Sequence, residues 1–249
     1  MKKDFRILSM IFSALVLVLA LSLSSCKKDK DKEEEETPTP SSTWYSPTPG
    51  ENGTLPKKVL PAELYDAVTE YFTVNTGENP PAVDGEFVSS PHRLLHSTFV
   101  NDTTVYFNDR YIAFFKNGEY IDFYGKQWDD NEGDYYEEVY RKLNVIGTGE
   151  NFTCYYLTEG YPNGMFARQS TIFSGKWNAN YGGLKDFQVA VVLLETSGNP
   201  NLAPENSFRV LGDEDGLAQD TAWLDGKSGM FGGIKEVSAE DAFRMFRIK

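Results

Sequence analysis

Residues 111–124 constrain this chain more than any other stretch. The centre reads Phe115-Lys116-Asn117-Gly118-Glu119-Tyr120, with apolar and aromatic residues on both sides. Asn-Gly between two such runs predicts a two-residue type I′ hairpin turn, because both turn positions need φ > 0. That turn would set Lys116 opposite Glu119, Phe115 opposite Tyr120, Phe114 opposite Ile121, Ala113 opposite Asp122, Ile112 opposite Phe123 and Tyr111 opposite Tyr124. Side chains alternate along a strand, so Ile112, Phe114, Ile121 and Phe123 share a plain core face. Tyr111, Ala113, Phe115, Tyr120, Asp122 and Tyr124 share the other, which is aromatic with polar tips and one carboxylate. Whether that second face lines a cavity or meets solvent decides what the hairpin can do.

The rest of the chain reads as strands joined by short turns. Residues 85–89, 103–107, 136–146, 152–157, 165–174, 184–195 and 208–211 are rich in β-branched and aromatic residues and are bounded by Gly, Pro or Asn. In 184–195, Val189, Val191 and Leu193 fall on one side and Ala190, Val192 and Leu194 on the other, so both faces need cover. Gly175 is placed for a bulge. One early helix is predicted over 60–72, where Leu60, Leu64, Val68 and Tyr71 follow helical spacing after Pro61. A short C-terminal helix is predicted from the capping pattern Ser238-Ala239-Glu240-Asp241, with Ala242, Phe243 and Phe246 as its apolar side. Strands and helices do not alternate, so the expected class is mainly β. The expected architecture is an antiparallel up-and-down barrel of about eight strands, which removes the exposed edges that aromatic strands would otherwise offer. A two-sheet β-sandwich is the alternative.

The N-terminus carries an address. Lys2, Lys3 and Arg6 precede an apolar run to Leu23, then Leu23-Ser24-Ser25-Cys26. This resembles the lipobox of bacterial lipoproteins, which implies cleavage before Cys26 and lipid attachment to it, with residues 1–25 as signal peptide. Several acyl chains on one residue anchor firmly, at about 0.8 kcal/mol per buried CH₂. Residues 26–54 form a charged and then Pro/Thr/Ser-rich tether. Its Lys-Asp-Glu run resembles the acidic export signal of Bacteroidetes surface lipoproteins, and Trp44 and Tyr45 are placed to dock on the domain. Residues 55–249 suit a single domain. The net charge is −13; the signal carries Lys2, Lys3 and Arg6 against Asp4, or +2, so its removal leaves −15. Such acidity argues against nucleic acid and against electrostatic docking to anionic lipid. After lipidation Cys154 is the one remaining thiol, which excludes a disulfide scaffold.

The order of an N-terminal helix, Asn79-Pro80-Pro81-Ala82-Val83-Asp84-Gly85-Glu86-Phe87, a β-meander and Arg209-Val210-Leu211-Gly212-Asp213-Glu214-Asp215-Gly216-Leu217-Ala218 resembles a group of uncharacterised Bacteroidetes surface lipoproteins with a lipocalin-like β-barrel. The resemblance spans roughly 55–223. It implies a barrel and a lipid-anchored outer-membrane address at the cell surface, and it brings no catalytic residues.

Other motifs point to ordinary structure. His92 and His96 lie four apart in His92-Arg93-Leu94-Leu95-His96, without the Glu of a His-Glu-x-x-His site. On an extended segment they would sit about 13 Å apart at roughly 3.3 Å per residue, too far for one ion. Gly226-Lys227-Ser228 lacks the earlier glycine of a phosphate-binding loop. Asp213 and Asp215 are the calcium candidates, in an acidic turn without the EF-hand pattern; no metal or other cofactor is expected. Asp220-Thr221-Ala222 resembles a bacterial O-glycosylation acceptor at Thr221. Any Ser-His-Asp or Cys-His site would need His92 or His96, and Cys154 alternates with Phe152 and Tyr156 as a small core residue. With 37 acidic residues, chance carboxylate pairs are common, so a glycan hydrolase is the minor alternative and no catalytic residue is assigned. The 17 Phe, 14 Tyr and 4 Trp carry the main functional expectation. A monomeric, non-catalytic barrel would bind a small apolar or glycan ligand through Tyr111, Phe115, Tyr120, Tyr124 and Trp128, with Asp122 orienting it. The alternative is a surface protein-interaction or structural module, favoured if those aromatics lie outside the barrel.

Overall fold

The computed structural model describes residues 43–46, 52–99, 102–117, 120–130, 133–224 and 239–247. In chain order the elements are β1 (Thr43–Ser46), α1 (Ala62–Thr69), β2 (Glu78–Asn79), β3 (Gly85–Ser89), β4 (His92–Ser97), β5 (Tyr106–Phe107), β6 (Arg110–Asn117) and β7 (Tyr120–Asp129). Then follow β8 (Asp134–Thr148), β9 (Asn151–Gly160), β10 (Ala167–Lys176), β11 (Gly183–Glu195), β12 (Phe208–Asp213), β13 (Leu217–Asp220) and α2 (Ala239–Ala242). Cys26 and most of the tether, residues 118 and 119, Gly226-Lys227-Ser228 and Ser238 lie outside the described residues. Among the described residues no helix is long and apolar enough to cross a membrane.

Eight antiparallel strands close a ring in the order β3-β6-β7-β8-β9-β10-β11-β13, with β13 returning to β3. Closure rules out the two-sheet sandwich. Six consecutive strands, β6 to β11, form a meander, as the sequence pattern requires. The departure from a simple up-and-down order lies at β11. Its first residues, Gly183 to Lys185, pair with β13 and complete the ring. Beyond them Gln188 to Val192 pair with β12, which carries β4 and β5 outside the barrel. Between the two pairings the register with β10 shifts: Ser174 faces Gln188 whereas Lys176 faces Lys185. The extra residue of this bulge lies in β11, where Asp186 has φ 51°, opposite Gly175 rather than at it.

The barrel interior is filled. Phe87, Phe114, Phe123, Phe152, Phe173 and Phe187 are all buried to within 1% of complete. Phe123 and Phe173 centroids lie 4.8 Å apart, and Phe114 meets Phe173 edge-on at 5.7 Å. Both ends are stopped. At one, the Trp177 indole donates to Ala82 O at 3.0 Å and its ring meets Phe87. At the other, α2 and the turn after it bring in Ala242, Phe243 and Phe246. Gln169 Nε2 donates to Ala242 O at 2.7 Å, and Ala203 N donates to Phe246 O at 2.7 Å.

A second apolar layer lies outside β8 to β12, under α1. Leu60, Leu64, Val68 and Phe72 pack on Ile146, Tyr155, Leu157, Ile172, Ala190 and Val192. The helix is shorter than predicted, and Phe72 rather than Tyr71 continues its buried stripe; Tyr71 is exposed and stacks on His96 at 3.7 Å. This layer explains the two-faced hydrophobicity of β11: Val189, Val191 and Leu193 face the barrel, while Ala190, Val192 and Leu194 face the helix layer. At β1, Thr43 to Ser46 pair with Gly160 to Leu157 of β9, so part of the segment read as tether joins the sheet.

Two strand readings need correction. The strand predicted over 103–107 is confined to Tyr106–Phe107, and the segment holding both histidines is itself β4. The strand that closes the ring, β13, was not predicted. It is four residues long and follows an acidic turn, so it has little apolar pattern of its own.

Candidate functional site

The central hairpin forms, but two residues out of the predicted register. Asn117 faces Tyr120, Phe115 faces Asp122, Phe114 faces Phe123 and Ala113 faces Tyr124. Phe115 is therefore not opposite Tyr120 and Lys116 faces Ile121 rather than Glu119, while the predicted Asn117-Gly118 turn lies partly outside the described residues. The reason lies in the core. This register sets Phe114 and Phe123 against each other at 5.5 Å inside the barrel, whereas the predicted one would have opposed Ile112 to Phe123. A shift of two preserves alternation. Ile112, Phe114, Ile121 and Phe123 are all buried inward, as expected. Tyr111, Phe115, Tyr120, Asp122, Tyr124 and Trp128 all lie on the other face, which is the outside of the barrel.

Other parts of the chain divide that outer face into three zones. In the middle, Trp223 and Leu224 lie across it: Tyr124 and Ala113 are buried beneath them, with Phe115 packed alongside. Trp223 sits 5.1 Å from the Tyr124 ring and 5.6 Å from the Tyr111 ring. Glu86 of β3 holds this strap, since one of its carboxylate oxygens accepts Trp223 N–H at 2.9 Å and Leu224 N–H at 2.8 Å. Towards the turn, Asp122 accepts Lys142 N–H at 2.9 Å. Lys142 has φ 57° and is the extra residue where β8 shifts register against β7, so this carboxylate braces a bulge. Tyr120 beside it is exposed. At the far end, Trp128 and Tyr135 face each other across β7 and β8, with ring centroids 5.1 Å apart, edge to face. They are 38% and 42% exposed, and the Lys126 ammonium lies 3.9 Å over the Tyr135 ring.

Of the six ligand residues read from sequence, Trp128 and Tyr120 are thus open to solvent. Tyr111 and Phe115 are half-buried, Tyr124 is covered, and Asp122 has a structural partner. Trp223, Glu86, Lys126 and Tyr135 were missed. Tyr135 had a signal in the Tyr135-Tyr136 doublet opposite Trp128 across the acidic turn. Trp223 had none, because nothing local ties it to β6.

The histidines do not share a site. His92 is buried, with Ser89 Oγ 3.0 Å from its Nδ1. Burial and the Arg110 guanidinium lower its pKa to about 3. His96 stacks on Tyr71 and meets the Phe208 ring at a tilt, 5.4 Å between centroids. Asp213, the cross-strand partner of His92, is also buried. Ser89, His92 and Asp213 therefore form a Ser-His-Asp neighbourhood, but Ser89 and His92 are at most 1% exposed, so no substrate can touch the hydroxyl. Asp213 accepts N–H groups from Ser90, Asp215 and Leu217 at 2.9, 3.2 and 3.3 Å. Burial and a hydrogen bond with Asp215 raise its pKa, while the same bond and Leu217 N–H lower that of Asp215. These carboxylates organise a turn with amide donors, and among the described residues no group of three or more His, Cys, Asp or Glu side chains is placed to hold a metal. Cys154 is buried in the barrel core, where desolvation pushes its thiol pKa up, so it is a poor nucleophile. Thr221 donates its N–H to Glu86 O and is half-buried. Compared with protein-family models, with curated proteins and with solved structures, the chain shows no match.

Proposed function

We propose that the mature chain is a non-catalytic interaction module, lipid-anchored through Cys26 at the outer membrane and displayed on the cell surface, that docks a partner protein on the outer face of β6, β7 and β8. The observation that carries this reading is the position of the aromatics. Buried phenylalanine rings occupy the described barrel interior, which argues against a small apolar ligand there, while Trp128 and Tyr135 stand exposed outside it. Trp and Tyr supply large rigid contact areas at protein interfaces and dominate their binding energy. Lys126, held over Tyr135, adds a cation to this end of the face. The burial of Ser89 and His92 supports a non-catalytic role.

Affinity capture from an outer-membrane extract tests the reading. The full chain should recover a stoichiometric protein, and the Trp128→Ala, Tyr135→Ala double variant should lose it while melting at an unchanged temperature. Recovery of no partner, or equal recovery by the double variant, would remove this face as the docking surface. Anchoring is tested separately: Cys26→Ala should release the protein or leave its signal uncut, and continued lipid labelling of that variant would refute the lipobox reading.

A further inference from the structure

Where β11 leaves β13 for β12, the outer wall of the barrel opens into a cleft of about 450 Å³, within the ordinary size range of small-molecule sites. It lies on different strands from the aromatic face and is independent of the docking reading above. Part of its surface is glycine backbone, from Gly175, Gly212 and Gly216, so few side chains fill the space. Gly216 in particular is open: a Cβ there would meet nothing nearer than Asp186 Oδ1 at 4.0 Å.

Polar groups converge on the cleft and are fixed by the fold. Gln188 accepts Thr73 N–H at 2.9 Å and donates to Tyr71 O at 3.2 Å. Asn75 donates to Phe152 O and Ser174 Oγ, at 2.9 and 3.1 Å, while its own N–H reaches Thr153 Oγ1 at 2.8 Å. These amides cannot swing away, so a ligand would not have to order them. At the rim Lys176 Nζ and Asp186 Oδ2 lie 2.6 Å apart, a donor and an acceptor side by side. The Asp186 hydrogen bond raises the Lys176 pKa, so the ammonium persists at neutral pH. Leu95, 40% exposed, supplies an apolar patch against Gly212.

We infer that this cleft binds a neutral polyhydroxylated ligand, a single sugar residue. The Lys176–Asp186 pair cancels in charge, and the Asp213 carboxylate that also lines the cleft already accepts the Ser90, Asp215 and Leu217 N–H groups, so the lining selects against anions. A donor next to an acceptor matches two adjacent hydroxyls, each of which both donates and accepts. The Gln188 and Asn75 amides, already bonded to the fold, keep the wall rigid, and Leu95 suits the C–H face that a pyranose presents on one side.

The test uses the full chain and the methyl glycosides of glucose, galactose and N-acetylglucosamine, followed by calorimetry and by ligand-observed NMR. At least one glycoside should bind saturably at millimolar concentration. Asp186→Asn should weaken it about tenfold, the loss of one charge-assisted hydrogen bond. Asn tolerates φ near 50°, so this variant should keep the wild-type melting temperature. Leu95→Ala should weaken binding severalfold, and Trp128→Ala should leave it unchanged. Absence of saturable binding for all three glycosides overturns the inference. So does binding that survives Asp186→Asn and Leu95→Ala, or binding that is lost in Trp128→Ala, which would place the sugar on the aromatic face.

Discussion

Burial and the Arg110 guanidinium hold the His92 pKa at about 3 in the folded chain, whereas an unfolded chain protonates it near pH 6.5. Between those values the unfolded state binds more protons, so stability rises with pH. The contribution of His92 is complete above about pH 6.5 and is lost as pH falls towards 3. At roughly 1.4 kcal/mol per pH unit inside that window, the chain should lose about 2 kcal/mol between pH 6.5 and pH 5. Asp213 acts in the opposite sense, because a carboxyl whose folded pKa is raised adds stability as pH falls. The comparison with His92→Phe isolates the histidine. Urea midpoints across pH 5–7 should fall on the acid side more steeply for the wild type than for the variant, and parallel curves would refute the assignment. The sequence showed two histidines four residues apart and the mismatch with a zinc motif. It could not show that one is sealed opposite Asp213 while the other stacks on Tyr71, because Asp213 of β12 lies more than a hundred residues downstream of His92 and Tyr71, just past α1, lies some twenty-five upstream of His96.

The hairpin was legible in its parity and not in its register. Alternation of aromatic and apolar residues fixes which side chains share a face, so all six predicted ligand residues lie on one face although in separate zones of it. Register depends on what those faces meet. The Phe114–Phe123 contact inside and the Lys142 bulge braced by Asp122 outside both outweigh the local Asn-Gly preference. Which face is interior was also beyond local pattern, because the cover on the outer face is Trp223 and Leu224, held by Glu86. Replacing Glu86 by Gln leaves one neutral oxygen where a carboxylate accepted two N–H groups, and should cost about 1–3 kcal/mol. Tryptophan fluorescence should shift to the red as the Trp223 strap loosens; an unchanged spectrum and midpoint would deny Glu86 this role. The barrel seam offers a sharper case. Gly183 has φ 151°, and a Cβ there would lie 2.2 Å from Ala218 O across the β11–β13 pairing. Gly183→Ala should therefore strain the closing pair by about 1–3 kcal/mol and raise hydrogen-exchange rates in β13 before those in β6 to β10. Equal exchange in both strands would mean that the ring does not depend on this seam.

At the scale of the whole molecule, closure and filling are linked. Eight strands make a barrel just wide enough for side chains to fill or for one small ligand, and here phenylalanine takes the space. Phe173 is central to it, in ring contact with Phe114, Phe123, Tyr156 and Phe187, with the Arg110 guanidinium 6.0 Å from its centroid. The aromatic load of the sequence forecast a core of this kind, yet composition alone does not distinguish a packed interior from a lined cavity, since both are built from the same rings. Removing one ring converts the first into the second. Phe173→Ala should cost about 3–5 kcal/mol through lost transfer and a residual void, and an apolar void of that size stays dry and accepts small hydrophobes. Benzene or xenon should therefore raise the melting temperature of Phe173→Ala and leave that of the wild type unchanged, because a ligand stabilises only a state that has room to bind it. If benzene stabilises the wild type as much as the variant, the barrel already holds an apolar cavity, and the binding function returns from the outer face to the interior.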